Sequence, residues 1–164
     1  MTRALFIGRF QPLHKAHLEV IKNILKENDK IVIAIGSSQE SNTKENPFSA
    51  EERREMINAV MKADKIENYD IVEIPDFFDD EKWCGYIKSN IKNIEAAYSG
   101  NNVVLSCLKS RGFNVKKIKL IDDLNSTKIR EKIAKGGNWR ENVPVEIIKF
   151  IEKVKGVERI KSLY

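Results

Sequence analysis

The chain has 164 residues, enough for one domain with a sizeable core and no need of disulfide or metal staples. It is 41% hydrophobic and 32% charged, a globular composition, and no apolar stretch is long enough for a secretory signal or a membrane span, so a cytoplasmic protein with no membrane partner is expected. The net charge of +5 is spread over scattered lysines without a basic-aromatic stripe; this suits phosphate-rich ligands and gives no reason to expect a nucleic-acid partner.

The first element is a short apolar run, Ala4-Leu5-Phe6-Ile7, which reads as a buried strand. A turn follows, Gly8-Arg9-Phe10-Gln11-Pro12-Leu13-His14-Lys15-Ala16-His17, and then an amphipathic helix with Leu18, Ile21 and Leu25 on one stripe. Ligands of open parallel sheets bind at such strand-to-helix turns. The start of the helix offers unpaired N–H groups and a partial positive charge to an anion. Gly8 gives the backbone room to turn and to approach a ligand, and Pro12 stiffens the loop. His14 and His17, the chain's only histidines, share a face at this helix start. Their imidazoles and the Arg9 guanidinium suit phosphate oxygens.

Ile31 to Gly36 reads as a second buried strand, and its end runs into a polar loop, 36–47. That loop is equally a plain solvated connection or a contact for ribose or phosphate. Ser49 and Glu52 have capping-box spacing before a helix whose apolar face is Met56, Ile57, Val60 and Met61. Arg53 in that helix is either a surface arginine or a site residue. Tyr69 to Asp76 is a third strand, and a helix follows through Ile87 and Ile91, with Asp80 as a candidate cap. Trp83 near its start is either core packing or a platform for a flat heteroaromatic ring.

Ile94 to Tyr98 reads as a fourth strand ending in Ser99-Gly100-Asn101, where Gly100 permits a turn and Asn101 or Asn102 can cap the next helix. That helix runs from Val103 to Arg111, with Gly112 as its stop. Val115 to Leu120 is a fifth strand. Leu124-Asn125-Ser126-Thr127-Lys128-Ile129-Arg130 opens another helix. Ser126 or Thr127 can cap it and hold phosphate, and Arg130 lies one turn on. Trp139 reads as packing. The last helices carry Ile147, Ile148, Ile151 and Val154 up to a stop at Gly156, then a short helical tail from Val157 to Tyr164. Cys84 and Cys107 lack a paired-motif spacing and are expected as reduced thiols. About five alternations of strand and helix predict one α/β domain, residues 1–164. It would be a doubly wound, Rossmann-like parallel sheet of about five strands flanked by helices.

Two of these motifs carry a resemblance. Gly8 to His17 resembles the first signature of the nucleotidyltransferase superfamily in its Gly-Arg-Phe-Gln-Pro-x-His form, with Ala16 where glycine usually stands between the histidines. Asn125 to Arg130 resembles the second signature, with Asn125-Ser126-Thr127 where this branch often has Ser-Gly-Thr. Together with Asn46-Pro47-Phe48-Ser49-Ala50-Glu51-Glu52-Arg53 and Tyr98-Ser99-Gly100-Asn101, the chain resembles the archaeal-type nicotinamide mononucleotide adenylyltransferases over nearly its whole length. The resemblance implies a nucleotidyltransferase fold and adenylyl transfer from ATP to nicotinamide mononucleotide (NMN), giving NAD and pyrophosphate.

It further implies His14, His17, Arg9 and Arg130 as catalytic residues. Gly8, Phe10, Gln11, Ser126 and Thr127 would hold ATP and its phosphates. Trp83, Asp76, Tyr98, Gly100 and Asn101 would hold NMN or NAD. Mg²⁺ is expected with ATP, without a protein metal cage, and so is a homo-oligomer, the family often forming hexamers. Two alternatives stay open: a sister adenylyl- or cytidylyltransferase acting on phosphopantetheine, flavin mononucleotide or glycerol phosphate, and a non-catalytic nucleotide or NAD sensor.

Overall fold

The two runs richest in apolar residues become the centre of a sheet. In a computed structural model that describes residues 1–120 and 123–164, β1 (Arg3–Gly8) pairs in parallel with β2 (Lys30–Ile35), Leu5 facing Val32 in the register. Both strands lie inside a sheet of order β3-β2-β1-β4-β5, and every pairing in it is parallel. The outer strands are β3 (Tyr69–Glu73), β4 (Ala96–Ser99) and β5 (Val115–Lys117). The expected five-stranded, doubly wound sheet is therefore present. The order reverses between β1 and β4, the position beyond whose carboxyl ends such sheets bind ligands.

The chain forms two compact units. The first comprises Met1–Gly8, Val20–Ser38 and Asn68–Lys119, and it holds the whole sheet. Alternate residues of the strands, Leu5 and Ile7, Val32 and Ala34, point to one face. There they pack with Ile74, Ala97, Ile87, Ile91 and Leu108. Burying each leucine- or isoleucine-sized side chain contributes about 2 kcal/mol.

Helix α3 (Asp80–Asn90) and helix α4 (Asn102–Ser110) supply part of that face. Asp79, not Asp80, caps α3: its carboxylate accepts from the Lys82 N–H at 3.1 Å. An N-cap must keep extended backbone angles, and Asp80 is already helical. Asn101 caps α4, accepting from Val103 and Val104. Cys84 of α3 and Cys107 of α4 form a disulfide, with Cα atoms 6.1 Å apart, where reduced thiols were expected. Their separation of 23 residues concealed that the two helices pack side by side.

The second unit comprises Arg9–Glu19, Gln39–Glu67 and Leu120–Tyr164. Helix α1 (Lys15–Glu27) starts in this unit and finishes in the first. Among the described residues the other α-helices of the second unit are α2 (Ala50–Ala63), α5 (Ser126–Ala134), α6 (Val145–Lys153) and α7 (Gly156–Leu163). Helix α2 packs on α6, and α7 packs on α5 and α6. The capping box is formed: Ser49 Oγ accepts from the Glu52 N–H at 3.1 Å, and Glu52 Oε2 accepts from the Ser49 N–H at 2.9 Å.

Glu52 also receives both arms of Arg159, at 2.7 and 2.8 Å. Burial would raise this carboxyl, but the Arg159 fork and the Ser49 amide hold it below the ordinary carboxylate range. Trp139 is buried, as packing required. Gly156 is not a helix stop: it begins α7. A Cβ there would lie 3.0 Å from Ile151 Cγ2 and from Phe48 Cε1, so glycine is what lets α7 pack this closely.

Candidate active site

The turn after β1 is built around two histidines that cap each other. The His14 N–H donates to His17 Nδ1 and the His17 N–H donates to His14 Nδ1, both at 3.3 Å. The rings stack with centroids 3.6 Å apart. A backbone amide can only donate, so both Nδ1 atoms are acceptors, and in the neutral rings each proton sits on Nε2. His14 Nε2 is fully buried and has no hydrogen-bond partner. An unsatisfied buried donor costs about 1–3 kcal/mol, which marks it as a place for a ligand acceptor.

Neutrality is enforced. Burial lowers the His14 pKa to about 4. Burial, with the neighbouring His14 as a second cause, holds His17 well below the ordinary imidazole value. The pair consequently presents N–H groups, not imidazolium charge, at neutral pH.

Phe10 is buried in a left-handed backbone conformation, φ 54°, and its ring edge meets His17 at a centroid distance of 4.9 Å. A bulky residue with positive φ is rare and persists where its surroundings hold it. The Gln11–Pro12 peptide that follows is cis. Gln11, expected at the phosphates, is instead spent on the fold. Its amide donates to the Phe48 carbonyl at 2.8 Å and accepts from the Phe48 N–H at 3.0 Å. That clamp ties the Gly8–His17 turn to the loop before α2.

Arg53, fully buried, donates to the carbonyls of Ser49 at 3.2 Å and Arg9 at 3.0 Å. It anchors the backbone of Arg9, whose own side chain is exposed.

The second motif reaches the same turn. Asn125 is the N-cap of α5, accepting from the Lys128 N–H at 2.9 Å, where Ser126 or Thr127 was expected. Both of those residues are helical already, and their hydroxyls do other things. Ser126 Oγ donates to the Pro12 carbonyl at 3.0 Å. Thr127 Oγ1 accepts from Arg130 Nη2 at 3.2 Å.

Arg130 is buried and also donates to the carbonyls of Lys44 at 3.1 Å and Gln11 at 3.0 Å. Burial lowers its pKa and nearby Arg9 adds to that, while the Tyr164 side chain and the charge of Glu45 act the other way. The buried Arg130 guanidinium, with the exposed Arg9 near it, gives this end of the turn a positive character. His14, His17, Arg9, Gln11, Ser126, Thr127 and Arg130 are thus gathered within one compact unit.

The remaining candidates belong to the other unit. Gly8 ends β1 and its carbonyl accepts from the Gly36 N–H at 2.8 Å; its φ is not left-handed, so the backbone angles at this position do not themselves call for glycine. Trp83 is half-buried and packs on the sheet core. Asp76 is exposed. The Tyr98 hydroxyl donates to Glu27 at 3.2 Å. Gly100 has no positive φ, and a Cβ there would find its nearest neighbour at 3.7 Å, so this turn also tolerates a side chain.

Sequence reading missed the Phe48 backbone clamp and the roles of Lys44 and Tyr164. None of these has a motif, and only the polar composition of loop 36–47 hinted at Lys44. Among the described residues no three His, Cys, Asp or Glu side chains cluster to hold a metal. Hard cations are commonly held by substrate phosphates and water.

The cytidylyltransferase-like family model matches residues 5–132. The chain is 42% identical over 167 residues to the nicotinamide-nucleotide adenylyltransferase of Methanococcus maripaludis, covering 98% of this chain and 95% of that one. It is 38% identical over 163 residues to the enzyme of the same name from Thermoplasma volcanium, covering 98% and 92%. Among solved structures it is similar to a bifunctional NMN adenylyltransferase/ADP ribose pyrophosphatase from Francisella tularensis, complexed with AMP and a manganese ion. The TM-score is 0.80 and the identity 25%, over 99% of this chain and 51% of that one. The chain therefore spans about half the length of that bifunctional protein.

Proposed function

The chain belongs to the cytidylyltransferase-like family, and from that premise we infer that it is a nicotinamide-nucleotide adenylyltransferase. It transfers the adenylyl group of ATP to NMN, giving NAD and pyrophosphate. The observation that carries the chemistry is the reciprocal histidine pair, with the buried Nε2 of His14 left without a protein partner.

An oxygen of the NMN 5′-phosphate bonds to the α-phosphorus of ATP, and the bond from that phosphorus to the bridging oxygen breaks. Pyrophosphate leaves with the electron pair. The attacking phosphate is already a nucleophile, so positioning and charge stabilisation supply the rate enhancement. His14 and His17 are assigned as neutral N–H donors to the phosphates. Their low pKa values support this role, because a donor that stays neutral neither loses nor gains a proton during transfer. Arg130 and Arg9 are assigned to the charge of the pentacoordinate phosphorus and the leaving group. Thr127 orients Arg130, and Ser126 holds the Pro12 backbone.

Gly8, Phe10 and Gln11 are assigned to shaping the turn that receives ATP. Trp83 is assigned to stacking on nicotinamide, with Asp76, Tyr98, Gly100 and Asn101 in support. Mg²⁺ accompanies ATP and offsets phosphate charge. We further propose that residues 1–164 act as one nucleotidyltransferase domain, that the protein works in the cytoplasm, and that it assembles as a homo-oligomer.

The test is NAD formation from ATP, Mg²⁺ and NMN, with deaminated NMN, phosphopantetheine and flavin mononucleotide as competing acceptors. NAD formation is expected, and His17→Ala should lower turnover by about a hundredfold with little change in melting temperature. Turnover only with another acceptor would overturn the Trp83 assignment. A variant with full turnover and a lower melting point would make His17 structural.

A further inference from the structure

Loop 36–47 and the residue after α7 meet at Arg130, and neither has a role in the reaction described so far. The Lys44 backbone carbonyl accepts from Arg130 Nε at 3.1 Å. The Lys44 ammonium lies over the Tyr164 ring, 4.3 Å from its centroid. Lys44 is therefore held at both ends, by Arg130 through its backbone and by Tyr164 through its side chain. Tyr164 thus reaches Arg130 through Lys44, whose ammonium it holds and whose carbonyl Arg130 engages. The three residues form a chain with Lys44 at its centre, and three of the five Arg130 N–H groups are already committed to Lys44, Gln11 and Thr127.

We propose that Tyr164 is a positioning residue of the triphosphate site, holding the Lys44 ammonium and the Arg130 guanidinium together as one cationic edge for ATP. The proposal rests on the adenylyl-transfer reading. The argument is electrostatic. Arg9, Arg130 and Lys44 are like charges, and each would move apart or seek a carboxylate in the absence of nucleotide. A carboxylate partner would fix them but cancel the charge that phosphate needs. An aromatic face holds an ammonium through the ring quadrupole and carries no net charge, so the cation remains available to an anionic ligand. At 43% exposure the ring leaves Lys44 in contact with solvent and free to turn toward phosphate.

The experiment compares Tyr164→Ala, Tyr164→Phe, Lys44→Met and the double variant Tyr164→Ala/Lys44→Met in the full chain. The expected result is a rise in KM for ATP of about fivefold in Tyr164→Ala, the range of an exposed cation–π contact. The kcat, the KM for NMN and the melting temperature should stay close to wild type. Tyr164→Phe keeps the ring and should recover most of the ATP affinity. Lys44→Met should match Tyr164→Ala, and the double variant should be no worse than either alone.

An unchanged KM for ATP in Tyr164→Ala overturns the proposal. So does an equal rise in both KM values with a lower melting point, or full additivity in the double variant. If the wild type forms no NAD, the adenylyl-transfer reading fails by itself. Titration of Mg·ATP into wild type and Tyr164→Ala then decides the Tyr164 role: weaker binding in the variant supports it and equal binding overturns it.

Discussion

The buried histidine pair makes a quantitative statement about acid. Burial lowers His14 to about 4 in the folded protein, whereas an imidazole in the unfolded chain titrates near its usual 6.5. Above that value both states hold a neutral ring and no proton is exchanged on unfolding. Between 6.5 and about 4 the unfolded chain binds a proton that the folded chain refuses, so stability falls as pH falls through this window. The full shift is worth about 3 kcal/mol, of which about 2 kcal/mol is lost between about pH 7 and about pH 4.5. His17, also pushed down, adds to this in the same direction.

The assay is urea unfolding at both pH values for wild type and His14→Asn. Asparagine keeps an acceptor for the His17 N–H but cannot titrate. Carboxylates contribute equally to both proteins, so their effect cancels in the comparison. Wild type should lose about 2 kcal/mol more than the variant over the interval. Equal losses would mean that His14 accepts a proton in the folded state as readily as in water, and would refute the neutral-donor assignment.

Three further outcomes follow from the packing. Arg53→Met deprives the Arg9 carbonyl of its guanidinium donor, while the Ser49 carbonyl keeps the Arg53 backbone N–H at 3.0 Å, and should lower stability by about 2 kcal/mol. NAD formation should fall with it, because Arg9 loses its backbone anchor; a variant as stable and active as wild type would remove Arg53 from the site. Gly156→Ala places a methyl 3.0 Å from Ile151 and Phe48. Chemical denaturation should show a loss of about 1–2 kcal/mol despite alanine's better helix propensity, and a gain would mean that α6 and α7 can shift apart. Titration of the denatured chain should find no free thiol before reductant and two after it, since Cys84 and Cys107 are bridged; two thiols at the outset would contradict the bridge.

Much of this was readable before the structure. The parallel strands announce themselves because burial on both faces demands continuous apolar runs, as in Ile31 to Ile35. The capping box of α2 was legible because its two partners are three residues apart. What was hidden depends on distance in sequence. Caps at Asp79 and Asn125 missed by one or two residues, since Asp, Asn, Ser and Thr all have cap chemistry and only backbone angles decide among them. The bridge between Cys84 and Cys107 and the clamp of Gln11 on Phe48 join residues that no local pattern links. Tyr164 and Lys44 meet through a fold, not a motif.

The clamp also explains why the signature is longer than its chemistry. In the proposed reaction histidines alone would suffice to donate to phosphate, yet the buried Arg130 guanidinium must also be made tolerable. Placing Arg130 out of water is unfavourable by several kcal/mol unless its N–H groups find acceptors. Those acceptors are carbonyls of Gln11 and Lys44, and neither residue holds its place by itself. The Gln11 side chain fixes one through Phe48, and the loop after β2 delivers the other. Backbone carbonyls carry only partial charge, so they satisfy the guanidinium's hydrogen bonds while leaving most of its positive charge for an incoming anion. A carboxylate in their place would give a more stable apoprotein and a weaker site. On the proposed reading, the glutamine and the loop after β2 are therefore as much a requirement of phosphate binding as the histidines are, though neither carries out a step of the reaction.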